Sequence, residues 1–350
     1  MNGKTWAWLA AALVVGILAG CGQPDTGRER LIDYLNRLSR TVDIDIEIDA
    51  ETSSRPPSIV AAGLKPLPLP ESQIGVLDFL SLSGCDLQQN VGRRNSHLGR
   101  HASPSQQLLL DLEFLEQAPS CIAQLKDSAP DLAEQLSTFV EQRRQALPTA
   151  IYNGLLADSE WRELWRLPAA LGDYPAQSNN DIGTTLTQLA NRVERWLGGD
   201  WQADNLALES LLSELRAGDG GALLQAAALQ AGVLSAASDA VDQQRSAGSL
   251  CPFGRDTEKS QRLRTVAAKY FAGGVQPWLA DLRRREVLIL PPVQRIESAL
   301  AAALPEDYLL WRTARDEALS SLTAAPRRHA ETISESLADC GGIRRQKPAQ

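Results

Sequence analysis

Apolar residues recur at every third or fourth position along most of this chain, the spacing that lines one face of a helix. In residues 28–40 the stripe is Leu31, Tyr34, Leu35 and Leu38. Ser103-Pro104, a capping serine followed by a first-turn proline, opens a helix expected to pass through Leu108, Leu112 and Leu115 and to end near Gln117. Residues 131–147 repeat the pattern with Leu132, Leu136, Phe139 and Val140, and the same reasoning predicts helices over 71–82, 86–96, 159–167, 181–197 and 204–215. Residues 221–245 carry Ala227, Ala228 and Ala231 among Leu223, Leu224, Leu234 and Val241. That small-residue face suits a close helix partner, expected over 257–271 or over 278–285 after a break at Gly273-Gly274. Pro291-Pro292, Pro305 and Pro326 are each expected to open one of three closing helices. The pattern predicts a mainly α protein, an irregular multi-helix bundle.

Two stretches near the N-terminus break the helical period. Val42 to Asp49 alternates β-branched and acidic residues, which predicts a short extended or β segment with its apolar side chains on one face. Its carboxylates lack the glycine-containing loop and terminal Glu of a calcium hand. Residues 55–70 hold Pro56, Pro57, Pro66, Pro68 and Pro70, a composition that forbids a helix and favours an extended linker. The interleaved Leu64, Leu67 and Leu69 predict that this linker wraps onto the body.

The first residues have a different logic. Lys4, an apolar run from Trp6 to Ile17, and Leu18-Ala19-Gly20-Cys21 follow in the order of a secretory signal, and the run is short for a membrane span. The tetrad resembles the lipobox of bacterial lipoproteins. That resemblance implies removal of residues 1–20, diacylation of the Cys21 sulfur and acylation of the new amino terminus. Gly22 stands where an Asp resembles an inner-membrane retention signal, so the expected place is the inner leaflet of the outer membrane, facing the periplasm. Residues 21–30 then form a lipidated stalk. Residues 31–340 form a helical periplasmic body of one domain, or of two lobes divided near 150–180, and 341–350 a loose tail. No second apolar run near the roughly 18 residues of a bilayer span is expected.

Charge and cysteine usage narrow the classes. The chain has 35 basic and 43 acidic residues, a formal charge of −8, and losing Lys4 takes it to −9. That balance argues against nucleic acid as a partner. With Cys21 assigned to lipid, Cys85, Cys121, Cys251 and Cys340 remain, an even set suited to an oxidising compartment. None lies at a zinc or haem spacing. Pairing Cys85 with Cys121 and Cys251 with Cys340 lets each bridge bracket one helical segment without crossing the other.

Candidate chemistry is sparse. The chain lacks a nucleophile elbow, a zinc-protease helix, a phosphate loop and a dinucleotide fingerprint, and it has 3 histidines. His97 and His101 are four apart, but Gly99 and Arg100 weaken both a helix and a cation site there, so no metal is expected. The densest polar feature is Arg93-Arg94-Asn95-Ser96-His97-Leu98-Gly99, followed by Ser105. It reads as a helix end in which Gly99 takes a left-handed cap and Arg94 bridges to a buried carboxylate. Its functional version is a polar binding turn made by Arg94, Asn95, Ser96, His97, Gly99 and Ser105, for a small anion or a peptide terminus.

The residues Arg94, Asn95, Ser96, Leu98 and Gly99, then Pro104, Ser105 and Gln106, Phe114 and Leu115, and Cys121 and Ile122 carry a resemblance. The chain resembles an uncharacterised family of Gram-negative envelope lipoproteins classified as domain of unknown function 3080. His101 departs from the apolar residue expected at its place. The resemblance implies an envelope location and a helical fold, and brings no reaction, substrate or cofactor beyond the covalent lipid on Cys21. The expected function is binding or scaffolding: an outer-membrane-anchored lipoprotein with an envelope protein as partner, in an oligomeric state left open. The alternative is a carboxylate-dependent enzyme acting on cell-wall or lipid material, which requires a carboxyl of raised pKa in a shared cleft.

Overall fold

The stripe over 28–40 folds as α1 (Gly27–Val42), which buries Leu31, Tyr34, Leu35 and Leu38 and starts with a reciprocal capping box between Thr26 and Glu29. A computed structural model describes residues 26–46, 55–60, 62–70, 82–178 and 180–341. The signal peptide, Cys21, residues 71–81 of the helix expected over 71–82 and the tail from 342 lie outside the described residues.

After α1 come α2 (Leu87–Asn95), the single-turn α3 (His97–Arg100), and α4 (Pro104–Leu125) and α5 (Pro130–Ile151), which pack on each other. A wide-turn segment, Tyr152–Leu156, leads to α6 (Ser159–Leu164), α7 (Ile182–Leu197) and α8 (Asn205–Arg216). α9 (Gly220–Ala247) is followed by α10 (Glu258–Val266), a second wide-turn segment at Ala267–Val275, and α11 (Gln276–Ala299). α12 (Glu306–Ser336) closes the described chain and lies along α9 in the most extensive helix contact. No strand occurs among the described residues.

One buried cluster gathers side chains from α1 and from α4 through α12, including residues on both sides of 150–180. A smaller one, around Phe114, Leu125 and Leu136, packs α2 against the outer ends of α4 and α5 and encloses Cys121. The structure bonds Cys85 to Cys121 and Cys251 to Cys340, sequence separations of 36 and 89. Trp161, Trp165, Trp196, Trp278 and Trp311 are buried. Gly27 is required by close approach: a Cβ there would sit 2.1 Å from the Trp278 indole, whose Nε1 donates to Tyr174 O at 2.8 Å.

Several expectations are corrected. Val42 is the last residue of α1 rather than the first of a strand, and Asp43 turns the chain with φ 58°. The Ile44 N–H donates back to Ser39 O at 3.2 Å and Ser39 Oγ donates to Ile44 O at 2.7 Å, so this backbone is spent on the helix end. Residues 47–49 of the expected strand lie outside the described residues. α4 continues through Pro119 to Leu125 instead of ending near Gln117. Pro291-Pro292 lies inside α11 and Pro326 inside α12, so only Pro305 opens a closing helix. Gly273-Gly274 does not interrupt the chain, because the wide-turn segment carries them into α11. A second window is apolar and long enough to cross a membrane, within Asn205–Ala247, but 67% of it is buried in the body, as befits the central core helix.

The proline-rich linker does lie on the body. Leu64 is buried, and Leu67 and Leu69 pack on the main core. Asn153 clamps the linker at two points, accepting from Leu67 N at 2.7 Å and donating to Leu67 O at 2.8 Å.

Candidate functional site

The polar turn over 93–99 is built as a break between two helices. Ser96 has extended backbone, accepts from Gly99 N at 3.0 Å and donates to Arg93 O at 2.7 Å, which caps α3. Gly99 lies inside α3 and does not take the expected left-handed conformation. It is glycine for a different reason: a Cβ would meet Arg93 O at 2.1 Å and Arg94 O at 2.8 Å. Asn95, Ser96 and His97 are exposed on the outside of the turn. Ser105 is buried in the first turn of α4 beside Ser103 Oγ, 2.9 Å away. Of the residues expected to form one pocket, only Arg94 reaches a cleft.

There Arg94 meets Asp111 of α4, and Arg143 of α5 binds the same carboxylate oxygen. Asp111 is 6% exposed. Outside them Arg93 pairs with Glu113, which also accepts from Asn90 Nδ2 at 3.2 Å. Burial pushes the Arg143 guanidinium down to about 10, with the positive charge of Arg94 adding to the effect and Asp111 opposing it. It remains charged at neutral pH. Both guanidiniums thus converge on one carboxylate at the floor of a cleft lined by the proline-rich linker. The cleft consists of two hollows that share Leu69, Asp111 and Ala150: the one lined by Arg94 and Arg143 has a volume of about 20 Å³, and its neighbour, lined by Pro66, Leu67 and Asn153, about 190 Å³. The sequence placed Arg94 against a buried carboxylate; Asp111 and Arg143 were hidden because they belong to different helices.

The other polar constellations bear on catalysis. His97 and His101 approach each other, with ring centroids 4.7 Å apart, but both are exposed. Among the described residues the one group of three potential metal ligands is Cys251, Asp256 and Cys340, and its sulfurs are bonded to each other. His329 is fully buried between Tyr34 Oη, 2.5 Å from Nε2, and Ser238 Oγ, 2.9 Å from Nδ1. Ser238 in turn donates to Leu234 O at 2.7 Å. All protons are used if Tyr34 donates to Nε2, Nδ1 donates to Ser238 and Ser238 donates to the helix carbonyl. A serine so engaged receives a proton from the imidazole and is not activated by it. Burial holds His329 down at about 4 and the Tyr34 hydroxyl far above its usual value. Among the described residues the one carboxyl raised above its ordinary value is Asp158, mainly through burial, and it caps α6 by accepting from Ser159 N at 2.7 Å.

A family model described as Protein of unknown function (DUF3080) matches residues 31–343. The chain belongs to that family. No curated protein and no solved structure matches it. In this DUF3080 chain the match begins inside α1 and ends just past Cys340, so it includes the cleft and both disulfides.

Proposed function

We propose that this protein is a lipoprotein of the outer membrane, anchored through Cys21, whose helical body binds another component of the cell envelope. The observation that carries the location is Leu18-Ala19-Gly20-Cys21 behind a short apolar run. Two disulfides support an oxidising compartment such as the periplasm. Binding is favoured over catalysis because the buried serine, histidine and raised carboxyl are each engaged in holding the fold. The cleft at Asp111 is the proposed binding site, and the part-exposed Arg94 in its wall can meet an anionic group on the partner.

The binding half of this reading is tested by photo-cross-linking in living cells from Gln142, an exposed residue at the cleft rim. The expected result is one specific envelope partner, lost in Arg94→Ala. Recovery of abundant neighbours alone, unchanged by Arg94→Ala, contradicts it.

A further inference from the structure

The polar end of the Asp111 cleft is nearly closed. The hollow where Arg94, Asp111 and Arg143 meet has a volume of about 20 Å³, room for about one water molecule. Two of its walls belong to α4 and α5, which are packed on each other along their length. Leu69 and Pro70 of the proline-rich linker form another, and Pro66, Leu67 and Leu69 wall the adjoining hollow of about 190 Å³. Residues 64–70 thus lie as a strap over both hollows.

The strap is held unequally along its length. At its start Ile59 and Leu64 are buried, and the turn between them is closed by Ala62 N donating to Ser58 O and Gly63 N to Val60 O, each at 3.3 Å. Gly63 has φ 63° with open space around it, a left-handed position free to turn. Beyond Leu64 the hold weakens. Pro66, Pro68 and Pro70 are exposed and have no N–H to donate, and Leu67 and Leu69 are half-buried. Among the described residues, the hydrogen bonds from 64–70 to the helical body are the two at Leu67, and both are made by Asn153. Asn153 is 6% exposed and has no other side-chain partner among the described residues, so its whole amide is spent on the strap. It stands in the wide-turn segment Tyr152–Leu156, a helix geometry that recurs at functional sites. A segment with few buried contacts and one bonding partner opens at much lower cost than the body beneath it.

We propose that residues 64–70 are a lid, hinged at Gly63 and latched by Asn153, whose release joins the two hollows and opens Arg94, Asp111 and Arg143 to a partner. The lid presupposes that the Asp111 cleft is the binding site. It supplies the movement such a site needs, because no group much larger than water fits beside the carboxylate while the strap is down.

The test is thiol labelling of the chain from Gly22 onward, which retains every described residue. Its four cysteines are bridged in pairs, so an introduced cysteine is the one free thiol. Ala150 is 5% exposed and lines both hollows. Ala150→Cys is expected to react slowly with a maleimide, and at least about tenfold faster when combined with Asn153→Ala. Leu67→Pro, which removes the strap's donating N–H and touches no helix, is expected to accelerate it as well. Thr138→Cys, exposed on the same helix, should react at one rate in all three backgrounds, and the helical melting transition should not move. Equal labelling of Ala150→Cys with and without the latch substitutions overturns the lid, as does acceleration accompanied by a lower melting temperature. Because no partner takes part, either result leaves the cleft's proposed binding role to the cross-linking from Gln142.

Discussion

His329 has no solvent contact and joins α12 to α1 through Tyr34 and to α9 through Ser238. The folded protein keeps it neutral down to about pH 4, while the unfolded chain takes up a proton near the ordinary histidine value of 6.5. Between those values the unfolded state binds more protons, so stability is fully present above about pH 6.5 and falls as the pH drops towards 4. The loss is on the order of 3 kcal/mol, and chemical unfolding at a series of pH values measures it. Tyr34→Phe deprives Nε2 of its donor and is expected to cost about 1–3 kcal/mol. Asp111→Ala removes the buried carboxylate that Arg94 and Arg143 share and is expected to cost about 3 kcal/mol, in contrast to Arg262→Ala at the exposed pair with Glu258, which should change stability by less than about 1 kcal/mol. The fully buried Arg315 behaves as Asp111 does. It grips Glu297 at 2.6 and 2.9 Å between the rings of Trp165 and Trp311, so Glu297→Gln should cost about 3 kcal/mol in the same unfolding measurement.

The helices were legible from apolar spacing, and the prolines inside them were not. An interior proline costs roughly 3 kcal/mol in an isolated helix, which is why Pro291, Pro292 and Pro326 read as boundaries. In α12 the buried Leu319 and Leu322 before Pro326 and His329 and Ile333 after it face one direction, so a break would uncover one half of the stripe. In α11 the same holds for Leu282 and Ile289 before the proline pair and Val293 and Ile296 after it. Tertiary burial outweighs local propensity there, and a window of sequence does not contain that term. The cleft was half legible for the same reason. Arg94 stood in a polar run, while its partners Asp111 and Arg143 are set by the packing of α4 on α5. The disulfides act at this scale too. With loops of 36 and 89 residues, each should contribute about 4 kcal/mol through the unfolded chain, and replacing either pair by serine should lower the denaturant midpoint without changing the helical circular-dichroism spectrum at low denaturant.

At the scale of the whole molecule, the described chain is a helical body centred on α9, with its small-residue face against α12, and it ends in a disulfide-tied loop. α1, the first helix after the proposed anchor in sequence, is packed on α9, α10 and the wide-turn segment at Ala267–Val275. The account rests on Cys21 carrying lipid. Its most direct test is metabolic labelling with an alkyne palmitate analogue in a Gram-negative host, followed by separation of inner and outer membranes on a density gradient. The account predicts label on the wild-type chain, outer-membrane density, and loss of both in Cys21→Ser. An unlabelled wild-type chain, or equal labelling of Cys21→Ser, would contradict it.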